Sequence, residues 1–208
     1  MRALLIAALL AATLGTTSAA AQTGAPQPGD VAALDNGDGS TTFTLILPAG
    51  HVGVTASGDW PVIAVQSGLP GVLAFQVPDP ADQNTSESTN LSLNLFDPAS
   101  RDGQQAAKAF GKPMAVQAPH TESHGAWTIA TQGVAANGVP YTVIDAEETG
   151  PSGVLILARL AFPHLTGQPG THAADMRALF LKVLDSVSGD AGTYTVHPGE
   201  VVRRPEGQ

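Results

Sequence analysis

Apolar and polar residues alternate along much of this chain, and alternation with period two marks a half-buried β-strand. Over 42–47, Phe43, Leu45 and Leu47 share one face, and Pro48-Ala49-Gly50 breaks the run before Val52 and Val54 resume it. Val62, Ile63 and Val65, then Val72, Leu73, Phe75 and Val77, predict strands over 61–65 and 71–77. Ser67-Gly68-Leu69-Pro70-Gly71 turns the chain between them. Residues 79–89 read as a polar loop. Leu91, Leu93 and Leu95 against Ser92 and Asn94 predict a strand over 90–96. Segments 127–134 and 139–147 read as the arms of a hairpin around Asn137-Gly138. A nearly continuous apolar strand follows over 154–162, interrupted by Arg159 and ended by Pro163.

The period changes twice. Asp97 as a cap and Pro98 at the first helical position open a helix that runs to about Phe110, weakened by Gly103 and closed by Gly111. Met176, Leu179, Phe180, Val183, Leu184 and Val187 recur at helical spacing and predict a buried stripe on a helix over 173–187. Strands, a helix, a three-stranded meander and a final helix imply an α+β fold class, an antiparallel sheet with two helices packed on it. The single domain is placed at 41–189, after a flexible leader and turn at 22–40 and before a polar C-terminal tail at 190–208.

The first 21 residues carry a different pattern. Arg2 precedes an apolar run from Ala3 to Leu14, and small residues end at Ala21. That is a secretory signal peptide, and its apolar run is shorter than the roughly 20 residues that span a bilayer. No comparable run follows, so no transmembrane segment is expected after cleavage. The chain has no cysteine, which excludes disulfides, thiolate metal sites and a lipid-attachment cysteine. A Cys-free exported domain fits a bacterial periplasm. The formal charge of -9 becomes -10 once Arg2 is removed, and an acidic body is repelled by phosphate backbones and anionic membranes. Nucleic acid is therefore not expected as a partner.

Several of these pieces together resemble the Mog1/PsbP-like superfamily, including its small exported bacterial domains. The matching pieces are a first strand ending in proline (Phe43 to Pro48), the 90–96 strand feeding a helix, and a Gly-led strand from Gly138. A return strand from Gly153 and a last helix ending Val183-Leu184-Asp185-Ser186-Val187 complete the set, which covers most of 43–187. The aromatic that usually follows the first strand's proline is absent, with Ala49-Gly50-His51 in its place. The resemblance implies an α/β sandwich and a non-catalytic binding or assembly module, with no shared catalytic residues.

Candidate chemistry is sparse. His120, Glu122 and His124 are metal-ligand types at alternate positions. Bracketed by Pro119 and Gly125, they do not suit a helix. In a strand they share a face with the outer two about 13 Å apart, too far for one ion. A folded loop is needed to bring them together. His164 and His172 flank a turn, with Thr171 or a neighbour expected to cap the last helix and His172 exposed. Asp145, Glu147 and Glu148 are carboxylates near a hairpin end, and Arg159 has Asp145 or Glu147 within reach across it. Trp127 and Tyr141 lie on paired strands and read as core or sheet cover or, if exposed together, as a partner-binding surface. Asp35-Asn36-Gly37-Asp38-Gly39-Ser40 lacks the alternate acids and distal Glu of an EF-hand loop. Asn84 and Asn90 head glycosylation-type tripeptides, chance matches in a bacterial host, with Asn84 in its polar loop the better site in a eukaryotic one. There is neither a Gly-x-Ser-x-Gly elbow nor a Ser-x-x-Lys motif. No cofactor is expected. The leading expectation is an exported, non-enzymatic periplasmic domain that binds or stabilises a protein partner, for example as an inhibitor or immunity protein. The alternatives are a small-molecule or lipid-binding protein with a cavity between sheet and helix, and a metal-assisted enzyme using His120 and His124.

Overall fold

The computed structural model describes residues 25–66, 68–79, 87–110, 119–136, 138–150 and 153–205, and the segment 1–21, expected to be a signal peptide, lies outside them. In chain order the first elements are β1 (Val31–Asp35), β2 (Ser40–Leu47), β3 (Gly50–Ser57), β4 (Val62–Gln66), β5 (Gly71–Val77) and β6 (Thr89–Phe96). Then come α1 (Arg101–Phe110), β7 (His120–His124), β8 (Trp127–Ala136), β9 (Val139–Thr149) and β10 (Leu155–Pro163). The chain ends with α2 (His172–Ser186), β11 (Ser188–Asp190) and β12 (Val201–Arg203). These strands form two sheets, one of five in the order β11-β3-β2-β1-β12 and one of seven in the order β4-β5-β6-β10-β9-β8-β7. Their pairings are antiparallel.

This architecture corrects the expected fold class. The chain does not build one antiparallel sheet with two helices packed on it. It builds two sheets, and the second layer over much of the larger sheet is the smaller sheet. Pattern alone missed β1, β7, β11 and β12; of these β7 is His-Thr-Glu-Ser-His and β11 is Ser-Gly-Asp. Neither shows apolar alternation, because each is ordered by pairing with a neighbour. The strand β1 lies within 22–40 and β12 within 190–208, the segments expected to be leader and tail.

One core joins the layers. Leu45, Leu47, Val52 and Val54 of the five-stranded sheet meet Leu73, Phe75, Leu91, Leu93, Leu95, Ile156 and Leu160 of the seven-stranded sheet. Phe43 and Phe75 place their rings 5.3 Å apart, and Trp60 lies edge-on to Phe75 at 6.2 Å. Phe180, Val183 and Leu184 of α2 enter the same core. The α2 C-terminus is tied to β3 by Ser186 Oγ, which accepts from Thr55 N–H at 3.0 Å.

The other helix plays a smaller part. Only Gly103 is fully buried among the side-chain positions described for α1. Asp97 does not cap this helix. Its Oδ1 accepts from Ala99 N–H at 2.8 Å in the preceding turn, and Ser100 Oγ takes the capping bond from Gly103 N–H at 3.0 Å. A Cβ at Gly103 would sit 2.0 Å from the Asp97 carbonyl oxygen, so the glycine that weakens the helix on propensity is what lets this turn close.

A second, smaller core of Ala32, Ile46, Tyr194 and Val202 lies where the C-terminal segment folds over the smaller sheet. Asp30, wholly buried, receives Arg204 Nε at 2.9 Å there. No helix among the described residues is long and apolar enough to cross a membrane.

Candidate functional site

His120, Glu122 and His124 lie on β7, the edge strand of the larger sheet, opposite Thr131, Ile129 and Trp127 of β8. Alternation puts all three on one face, as expected for a strand. That face meets α2, whose side chains take up two of them. Arg177 Nη2 donates to Glu122 Oε1 at 2.6 Å, and His124 Nε2 lies 2.6 Å from Asp185 Oδ1. The Arg177 hydrogen bond holds the Glu122 carboxyl below its usual range. Among the described residues no group of three His, Cys, Asp or Glu side chains is placed to hold a metal ion. In this arrangement Glu122, through an ion pair, and His124, through a hydrogen bond, link the sheet edge to the helix.

The two aromatics proposed as a partner surface are not brought together. Trp127 is 5% exposed and belongs to the core. Tyr141 pairs with Val134, toward the opposite end of the β8–β9 hairpin from the Thr128–Glu147 pair beside Trp127. The Tyr141 hydroxyl donates to Glu87. A Trp127 so deeply packed presents no contact surface, and its apolar indole is what the core takes in.

Two further polar groups are built into the body. Arg159 stands directly opposite Asp145 in the β9–β10 register. It donates to Asp145 through Nε at 2.6 Å and Nη2 at 3.0 Å, a bidentate pair. Asp145 is 4% exposed and also accepts from Gln132 Nε2 at 3.3 Å. Of the two carboxylates within reach in sequence, Asp145 and Glu147, the register selects Asp145. His172, expected at the surface, is instead 8% exposed at the start of α2. Its Nε2 lies 2.5 Å from Asp79 Oδ2, its ring packs on Phe162, and its buried Nδ1 has no hydrogen-bond partner among the described residues. Asp79 follows β5, so this link between residues 93 apart is not readable from local sequence. Thr171 occupies the α2 N-cap without a side-chain capping bond.

A cleft of about 250 Å³ lies beside the smaller core, lined by Pro26, Pro28, Pro48, Thr193 and Tyr194 among others. Tyr194 donates to Glu200, and burial followed by that hydrogen bond pushes its phenol up to about 12.

Sheet edges are the remaining feature. The smaller sheet ends in β11 and β12, each three residues long, which is one way edges are kept from pairing further. The larger sheet ends at β7, whose polar side chains and salt bridges protect it, and at β4. The β4 sequence Val-Ile-Ala-Val-Gln has no charge, and Val62 to Val65 are half-buried. Its register slips between Val62 and Ala64, leaving Ile63 as the extra residue of a bulge. The slip turns both Val62 and Val65 onto the core, where they pack. Pro61 carbonyl accepts from Gln76 N–H at 2.9 Å, so alternation directs the Val62 N–H and C=O to the open side. Sequence reasoning found this strand but not that it ends a sheet, since edge position is a property of topology.

In comparisons with known proteins, no family model, no curated protein sequence and no solved structure matches the chain.

Proposed function

We propose that this is an exported, non-enzymatic periplasmic domain that binds a protein partner by offering it a sheet edge. The observation that carries this is β4: five uncharged residues at the end of a seven-stranded sheet, with no strand paired to the outer side among the described residues. An uncharged edge is a template for another chain, because its outward N–H and C=O groups can extend the sheet, here on either side of the bulge at Ile63. The candidate catalytic and metal-ligating side chains support the same reading. Glu122, His124, Asp145 and His172 each engage a partner within the fold. The cleft near Tyr194, at about 250 Å³, lies below the roughly 300–1,000 Å³ of small-molecule pockets.

The test is cross-linking of the mature protein in its host periplasm, followed by native mass spectrometry of the purified species. A stoichiometric protein partner is the expected result. A bound small molecule or metal ion in place of a protein, or a bare monomer after efficient cross-linking, refutes the proposal.

A further inference from the structure

Resting on the partner-binding reading, we infer that the docking segment is an extended, uncharged strand with basic residues at its C-terminal flank, added antiparallel to β4. The direction and the charge both come from what surrounds the edge. The turn before β4 carries Asp59, three residues ahead of Val62, and Trp60 N–H closes it on Ser57 carbonyl at 3.1 Å. Gly58 N–H donates to Gly39 carbonyl at 2.8 Å, which seats this turn against the β1–β2 turn bearing Asp35 and Asp38.

Each of these carboxylates is held by its own loop. Asp35 Oδ1 accepts from Gly37 N–H at 2.8 Å, Asp38 Oδ1 from Ser40 Oγ at 2.6 Å, and Asp59 Oδ1 from Ser57 Oγ at 2.5 Å. These are hydrogen bonds from neutral donors, so the negative charge at this end of β4 is ordered without being cancelled. Lys182 on α2 exerts a weak pull on Asp38 as the least of the influences on it. An antiparallel strand on β4 brings its C-terminal end to the β4 N-terminal end, beside these acids. Basic residues there are attracted, and acidic ones repelled.

The middle of the segment follows from β4 itself. With no charge on Val62 to Gln66, a strand of Val, Thr and similar residues pairs at no electrostatic cost. A second copy of this chain is a poorer occupant. Its own β4 is followed by Ser67, Gly68, Leu69 and Pro70, none of them basic, and each exported copy carries a net negative charge.

The experiment uses the mature full-length protein and the probe acetyl-Thr-Val-Thr-Val-Thr-Val-Lys-Lys-amide, read by fluorescence polarisation and by amide exchange. The expected result is slowed exchange confined to 62–66. Affinity should be about tenfold lower when the lysines are moved to the N-terminus or replaced by glutamates. Asp59→Lys should lower affinity for the lysine peptide and raise it for the glutamate peptide. That reversal is one a merely unfolded variant cannot produce. Ile63→Lys, which places a charge on the edge, should abolish binding while β5 and β6 keep their protection. Failure of any peptide to protect 62–66, equal binding of all three, or protection that grows with protein concentration alone overturns the inference. If the periplasmic partner is captured equally by Ile63→Lys and wild type, the domain is a binding module but β4 is not its edge.

Discussion

Phe75→Ala tests whether the two sheets share a core. Phe75 lies on β5, is wholly buried, and meets Phe43 from the other sheet at 5.3 Å and Trp60 at 6.2 Å. Deleting a buried phenylalanine costs about 3–5 kcal/mol when the site cannot collapse around the hole. Here the hole lies between two hydrogen-bonded sheets, which close poorly, and two aromatic contacts worth about 0.5–1.5 kcal/mol each are lost with the ring. The expected cost is therefore in the upper half of that range, about 4–5 kcal/mol. With a urea slope of about 2 kcal/mol/M, the midpoint should fall by about 2 M. The assay is equilibrium urea unfolding followed by tryptophan fluorescence and circular dichroism, which should give coincident transitions. A double-mutant cycle with Phe43→Leu and Phe75→Leu should give a coupling of about 0.5–1.5 kcal/mol. A Phe75→Ala cost below about 1.5 kcal/mol, or a coupling of zero, would mean that the sheets are independent layers. The support of β4 through Trp60 and Phe75 would then fall as well.

Asp145→Ala should destabilise by about 1–3 kcal/mol, the cost of removing hydrogen bonds to a charged group, moderated because Arg159 retains solvent access; a change within 0.3 kcal/mol in urea melts would show the pair to be idle. Burial raises the Glu148 carboxyl above its usual value, so the folded state holds that proton more tightly than the unfolded one. Its penalty is absent below the unfolded value and grows as pH rises through the folded one. Glu148→Gln should accordingly raise Tm at pH 7 and leave it nearly unchanged at pH 4; an equal effect at both is the contrary result. In Tyr141→Phe, the absorbance of the remaining tyrosine should rise with a midpoint of about 12, and stability should decline from pH 10 upward as the unfolded phenol ionises first. A midpoint near 10 in protein that is still folded would contradict the Tyr194–Glu200 contact. Millimolar zinc should leave Tm unchanged, since Glu122 and His124 are taken up by Arg177 and Asp185; a stabilisation lost in His124→Ala would reverse that assignment.

Local pattern was enough for the elements that bury a regular face. Leu91, Leu93 and Leu95 announce β6, and the Phe180, Val183 and Leu184 stripe announces α2, because period two or 3.6 is imposed by the backbone wherever one side is apolar. The pattern narrowed the partner of Arg159 to Asp145 or Glu147, and the hairpin register chose Asp145. What needed the tertiary structure was everything set by non-local pairing. The short strands β7, β11 and β12 have no pattern of their own and exist because a neighbour offers hydrogen bonds. With β1, β11 and β12 unread, the pattern shows only β2 and β3 of the smaller sheet, and nothing in it separates them from a single sheet. Trp127 and His172 are polar-tipped side chains equally suited to surface or interior, and only the packed layers put them inside. Likewise Val62 to Gln66 read as one strand among several in sequence. It became an edge because the chain crosses from one sheet to the other at Asp59 and Trp60, and no further described strand comes back to cover it.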